Sequence, residues 1–216
     1  MTDALDELVA VMDRLRSPGG CPWDAEQTHA SLVPYALEEA YELAEAVEHD
    51  DRAGLREELG DLLLQVVFHA RIAAEHPDEP FTVDDVARDL VDKLVRRHPH
   101  VFAPDETDDA SGDATDATDD EGRNVRWDRI KRAEKQRASA LDGVPLALGA
   151  LARAQKVVTR ADRAGLSAPA PAGDGSLGAR LFALVLEARA TGLDAEGELR
   201  RTAADWEREA RAAEGR

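Results

Sequence analysis

The sequence predicts an all-α protein, and three observations carry that reading. Apolar residues recur at helical spacing in every long segment, and no stretch reads as a strand. One helical segment also occurs twice: LGDLLLQVVFHAR (Leu59–Arg71) aligns with LGARLFALVLEAR (Leu177–Arg189).

The first helix is expected over Asp3–Leu15, with Leu5, Leu8, Val9, Val11, Met12 and Leu15 on its apolar face, and SPGGCPWD ends it. Pro34 suits the first turn of a second helix that runs to about Glu48, and HDDRAG turns the chain back. The segment Leu55–Ala74 is apolar almost all round, the pattern of a helix buried on most sides. Thr82 and Asp85 form a capping box for a helix that ends at His98-Pro99. Asp105–Glu121 holds nine acidic residues, no base and no large apolar residue, so a disordered loop is expected there. From Asn124 the chain turns helical and basic, and a further helix follows Pro145 to about Ala164. APAPAGDGS is a linker, and two last helices are expected at Leu177–Ala190 and Ala195–Ala213.

A chain of 216 residues can bury one substantial core or two small ones. Its formal charge of −18 excludes a nucleic-acid binder held by bulk electrostatics, although the acidic loop alone carries half of that charge. Cys21 is the only cysteine, so no internal disulfide can form, and a reducing cytoplasm is the expected setting. The amino terminus has no basic and apolar leader pattern and no run reaches membrane-spanning length, so no membrane partner is expected.

Chemistry concentrates in two acidic pairs. Glu39/Glu42 and Glu58/Asp61 are each spaced (i, i+3), which on a helix sets Cβ atoms roughly 5–6 Å apart on one face. The two pairs fall on the two arms of the predicted hairpin and suggest one shared ion. Acidic rows on helices are commonly solvated faces, and Glu45 and Glu48 fit that reading. Asp61 does not, because it interrupts an apolar helix where an unpaired charge is costly. With oxygen ligands alone, Mg²⁺ is favoured, with Mn²⁺ as a substitute.

Downstream lie candidate partners for an anion. Lys93, Arg96 and Arg97 cluster at a helix end, where they could bind phosphate or simply complement the helix dipole. Trp127 and Lys131 are (i, i+4) neighbours that could stack a base beside a phosphate, or anchor a helix to the core.

These pieces together resemble one family, the MazG-type nucleoside triphosphate pyrophosphohydrolases of the all-α NTP pyrophosphatase superfamily. The resemblance rests on GGCPWDAEQT (Gly19–Thr28), YALEEAYELAEAV (Tyr35–Val47), LREELGDLLLQVVFHARIA (Leu55–Ala73), KLVRRHPHVF (Lys93–Phe102), WDRIK (Trp127–Lys131) and ALDGVPLALGALARAQK (Ala140–Lys156). It implies a helical bundle that hydrolyses an NTP to NMP and pyrophosphate and assembles as a homodimer or higher homo-oligomer. By the family's EExxE…ExxD signature, Glu39, Glu42, Glu58 and Asp61 would hold Mg²⁺, and Lys93, Arg97, Trp127 and Lys131 would bind nucleotide. Glu38, beside the pair but turned about 100° away on an ideal helix, is the candidate for activating water or for supporting the metal ligands from behind.

The resemblance divides the chain into a catalytic domain at 1–103, the acidic loop at 104–123, basic and connecting helices at 124–166, and a linker with a degenerate second repeat at 167–216. In that repeat Ala179 stands where Asp61 stands. Two other readings compete. A di-iron bundle needs Glu-x-x-His pairs, yet three residues on from Glu38, Glu42, Glu45, Glu57 and Glu58 stand Tyr41, Glu45, Glu48, Gly60 and Asp61. The other is a non-catalytic helical interaction module with a vestigial site.

Overall fold

The computed structural model describes residues 4–102, 138–166 and 175–215, and among them only helices, turns and bends occur. The acidic loop, the basic helix with Trp127 and Lys131, and most of the APAPAGDGS linker lie outside the described residues. The chain divides into two compact units, residues 1–108 and 109–216.

The first unit holds α1 (Ala4–Arg16), α2 (Pro22–Glu26), α3 (His29–Glu48), α4 (Arg52–Ala73), α5 (Val83–Arg97) and the short α6 (Pro99–Phe102). The α3 helix starts earlier than its proline suggests. Thr28 caps it, its Oγ1 accepting from the Ser31 amide at 3.1 Å while Ser31 Oγ accepts from the Thr28 amide at 2.9 Å. Pro34 therefore lies inside the helix rather than in its first turn. The usual box carries Glu or Gln at the third position, so the serine version gave no sequence signal. The α5 box is as expected, with Asp85 Oδ2 accepting from the Thr82 amide at 2.8 Å. The short α2 begins within the stretch read as a helix breaker, with Pro22 opening it.

The α3–α4 hairpin turns in three residues. Asp50 takes a left-handed backbone (φ 54), a conformation that Asp tolerates better than most residues. Asp51 then caps α4, its Oδ1 accepting from the Ala53 and Gly54 amides at 3.0 Å each.

Met12, Leu32, Val67 and Phe68 form the buried centre, with Leu8, Val9, Leu63, Leu64, Ile72 and Val83 packed on it. Burying each such side chain contributes roughly 1.5–3 kcal/mol. The α4 helix is less enclosed than its composition suggests. Gln65, Val67, Phe68, Ala70 and Ala73 are buried, but Leu59 and Val66 are about half exposed in this chain. Apolar residues all round a helix can mark a surface covered by another chain as well as one covered by its own core.

One polar network ties the first unit together. The Arg16 side chain is only 8% exposed and forms a fork with Glu75, Nε and Nη2 each donating at 2.9 Å. Its Nη1 donates to the carbonyls of Asp24 at 2.6 Å and Gln27 at 3.0 Å, and its guanidinium lies 6.0 Å from the Phe68 ring centre. Arg71 adds bonds to Asp13 at 2.7 Å and Glu75 at 2.8 Å. The Arg16 hydrogen bond holds the Glu75 carboxyl below its ordinary value of 4.5, against an opposing push from burial. A carboxyl with a depressed folded pKa stabilises the fold above its unfolded pKa and loses that contribution as pH falls through the folded value. Glu75→Gln is therefore expected to flatten the acid limb of stability below about pH 4.5. Urea midpoints at pH 3 to 6 check this. An acid limb as steep as in the parent chain would contradict it.

The second unit holds α7 (Ala150–Arg163), α8 (Leu177–Ala190) and α9 (Ala195–Ala213). Gln155 clamps the α8–α9 turn, Nε2 donating to the Leu193 carbonyl and Oε1 accepting from the Ala195 amide, both at 2.8 Å. Glu196 caps α7 by accepting from the Ala152 amide at 3.1 Å. Arg189 pairs with Asp162, and Arg189 occupies the repeat position of Arg71, which pairs with Asp13. The aligned arginines of the two units thus each pair with an aspartate from another helix.

Candidate metal centre

The hairpin brings three carboxylates together. Glu39 on α3 and Glu58 and Asp61 on α4 are half-buried, and each offers an oxygen within 4.8 Å of the others. Antiparallel arms explain this, since Glu39 lies nine positions before the end of α3 and Asp61 nine positions after the start of α4. The (i, i+3) step then sets Asp61 one turn beyond Glu58 on the same side.

Glu42, the fourth expected ligand, is exposed and stands outside that trio. Its charge lies close enough to Glu58 to raise that carboxyl's pKa. Glu38 is exposed, and its charge reaches Glu39. On α5, which packs against α4, Lys93 is half-buried and Arg97 is buried. Trp127 and Lys131 lie outside the described residues.

The electrostatics are those of a group short of positive charge. Partial burial first, then the charges of Asp61, Glu42, Glu58 and Glu38, pushes the Glu39 carboxyl above its ordinary value. Glu58 is pushed up in the same way, by burial and then by Glu42, Asp61 and Glu57. Like charges held this close raise one another's pKa, and a cation between them reverses the effect.

The donor set fits a hard divalent ion. A Mg²⁺ coordination sphere is about 4 Å across, and Mg²⁺ takes oxygen ligands while keeping several waters. Three carboxylate oxygens within 4.8 Å can surround such an ion with small side-chain rotations.

Three features of this seam gave no sequence signal. The His29 and His69 rings stack with their Nδ1 atoms 2.8 Å apart, so one nitrogen must be the donor and the other the acceptor. Burial, and then His29, lowers the His69 pKa. Trp23 packs edge-on to Tyr35 with ring centres 6.0 Å apart and lies 6.4 Å from Phe68. Gln65, one turn past Asp61, is buried, and its Oε1 has no hydrogen-bond partner. Each depends on contacts between distant segments, which helical periodicity does not report.

Residues 27–102, which carry the hairpin and α5, match the family model described as the MazG nucleotide pyrophosphohydrolase domain. The chain is 49% identical over 211 residues to an uncharacterised 26.1 kDa protein of Streptomyces cacaoi, covering 97% of this chain and 82% of that one. It is 46% identical over 165 residues to the nucleoside triphosphate pyrophosphohydrolase of Escherichia coli K12, covering 74% of this chain and 58% of the relative. The Mycobacterium tuberculosis protein of the same name is 48% identical over 166 residues, with 77% and 47% covered. The chain thus spans about half the length of these two pyrophosphohydrolases. All the acidic residues of the hairpin fall inside the matched domain, and the chain belongs to the MazG family.

Proposed function

We propose that the chain is a Mg²⁺-dependent nucleoside triphosphate pyrophosphohydrolase, converting an NTP and water to NMP and pyrophosphate. The observation that carries this reading is the trio Glu39, Glu58 and Asp61, with raised carboxyl pKa values at Glu39 and Glu58, within a domain of this family. Related proteins named for the same activity support it.

In this reading Glu39, Glu58 and Asp61 hold the ion, and Glu42 joins them through Glu58. Bound there, Mg²⁺ neutralises charge on the triphosphate and lowers the pKa of the attacking water, and Mn²⁺ can substitute. Glu38 orients that water and accepts its proton. Lys93 and Arg97 on α5, with Trp127 and Lys131 from the basic segment, bind the nucleotide, the cations meeting phosphate oxygens and Trp127 meeting the base. No residue among these makes a base-specific pattern, so activity is expected across NTPs and dNTPs, as suits nucleotide-pool housekeeping in the cytoplasm.

The assembled form is a homodimer or a larger homo-oligomer. Its support is the apolar surface left uncovered on the first unit, where Leu37, Tyr41 and Val47 on α3 and Leu59 and Val66 on α4 are all about 40–60% exposed. The degenerate-repeat reading of the second unit is supported by the recurrent Arg–Asp pair and by Ala179 at the place of Asp61.

The deciding experiment is hydrolysis in ¹⁸O-water with Mg²⁺. Attack at the α-phosphorus, with cleavage of the bond to the leaving pyrophosphate, puts the label in NMP. Label in orthophosphate with NDP as co-product would overturn the reaction, and no turnover across a panel of NTPs and dNTPs would favour a non-catalytic module.

A further inference from the structure

Gln65 sits in an unfavourable place for an amide. It is 8% exposed on the apolar α4, between Leu64 and Val66 and close to the core residues Val67 and Phe68, and its Oε1 is buried without a hydrogen-bond partner. An orphaned buried acceptor destabilises a fold, and native proteins hold few of them without a reason. A leucine there would fill similar space without the desolvation cost.

Its position supplies the reason. On an ideal helix Glu58, Asp61 and Gln65 fall within about 60° of arc, with Gln65 lying between the two acids in angle. Helical side chains lean towards the amino terminus and cover the preceding turn. For Gln65 that is the turn carrying Asp61, whose carboxylate belongs to the acidic trio. A buried carbonyl oxygen one helical turn from Asp61 wants a donor, and the acidic trio supplies none. A hydrated divalent cation brings polarised water O–H groups, since Mg²⁺ and Mn²⁺ keep part of their water shell when held by a few carboxylates.

We propose that Gln65 is a positioning residue of the metal centre, its Oε1 accepting a hydrogen bond from a water of the divalent ion held by Glu39, Glu58 and Asp61. This deepens the proposed function and rests on it. The amide destabilises the empty protein and is satisfied only when the ion is bound, so stability and metal affinity should move in opposite directions when it is replaced. A packing residue would not behave in this way.

The test compares the parent chain with Gln65→Leu and Gln65→Glu, using Mn²⁺ alone as the probe. Without metal, Gln65→Leu is expected to melt about 2–6 °C higher, as loss of a buried unsatisfied group predicts for a chain of this size. Calorimetric titration with Mn²⁺ and no nucleotide should give about tenfold weaker binding for that variant. Gln65→Glu, which keeps an acceptor, should bind Mn²⁺ at least as tightly as the parent. Unchanged Mn²⁺ affinity in the leucine variant would overturn the proposal, as would a lower melting temperature with weaker binding in both variants. If the parent hydrolyses NTPs while Gln65→Leu binds Mn²⁺ normally, only the role of Gln65 falls. If the parent binds no Mn²⁺, the metal centre itself falls, and this inference with it.

Discussion

Asp61→Ala is expected to lower kcat/KM by about 10³-fold, roughly 4 kcal/mol of transition-state stabilisation, while the helical fold survives. Asp61 is one of three carboxylates whose oxygens lie within 4.8 Å, so on the proposed reading its loss would leave too few protein ligands to hold the ion in place. The same substitution relieves the metal-free protein, because the Asp61 charge helps to push both Glu39 and Glu58 up. Circular dichroism should therefore show unchanged helicity, with a melting temperature equal to the parent's or higher. The aligned position in the second unit already carries Ala179 within a helix. Turnover assayed across a Mg²⁺ series separates a weakened site from an absent one. A variant that keeps most of its activity at limiting Mg²⁺ would put the metal elsewhere.

Arg16→Ala is expected to destabilise the first unit by about 3 kcal/mol. It removes a fork to Glu75, strands the carbonyls of Asp24 and Gln27 that now accept at 2.6 and 3.0 Å, and opens a gap beside Phe68. Loss of a fully buried pair would cost more, but Glu75 is 42% exposed and water can take over part of its charge. At roughly 2–4 °C per kcal/mol for a chain of this size, the melting temperature should fall by about 6–12 °C. Scanning calorimetry reads this directly. A shift under 2 °C would mean that water replaces the guanidinium without loss and that the network is incidental.

The contrast between these residues shows what the sequence can convey. Asp61 was legible because a carboxylate inside the apolar run Leu59–Ile72 breaks a local pattern, and its (i, i+3) spacing from Glu58 needs only one helix. The last two helices were legible from their helical spacing alone, and Ser176 and Asp194 cap them. Arg16 was silent, because its partner lies 59 residues away and an arginine at a helix end is electrostatically ordinary. Gln65 was equally silent as a problem, since a missing partner can be seen only once every neighbour is placed. The start of α3 was misread for a more local reason. Pro34 is the strongest punctuation in its segment, but the Thr28–Ser31 box sets the true start.

The hairpin turn has a consequence for the order of events during folding. Only residues 49–51 separate α3 from α4, so the acidic trio is assembled by closing one short loop, at small entropic cost. That contact also presses three like charges together, which opposes the closure that the apolar seam favours. On the proposed reading a divalent ion present during synthesis lifts that opposition at the nucleus itself. On that reading the ion would ease closure of the hairpin as well as serve its chemistry.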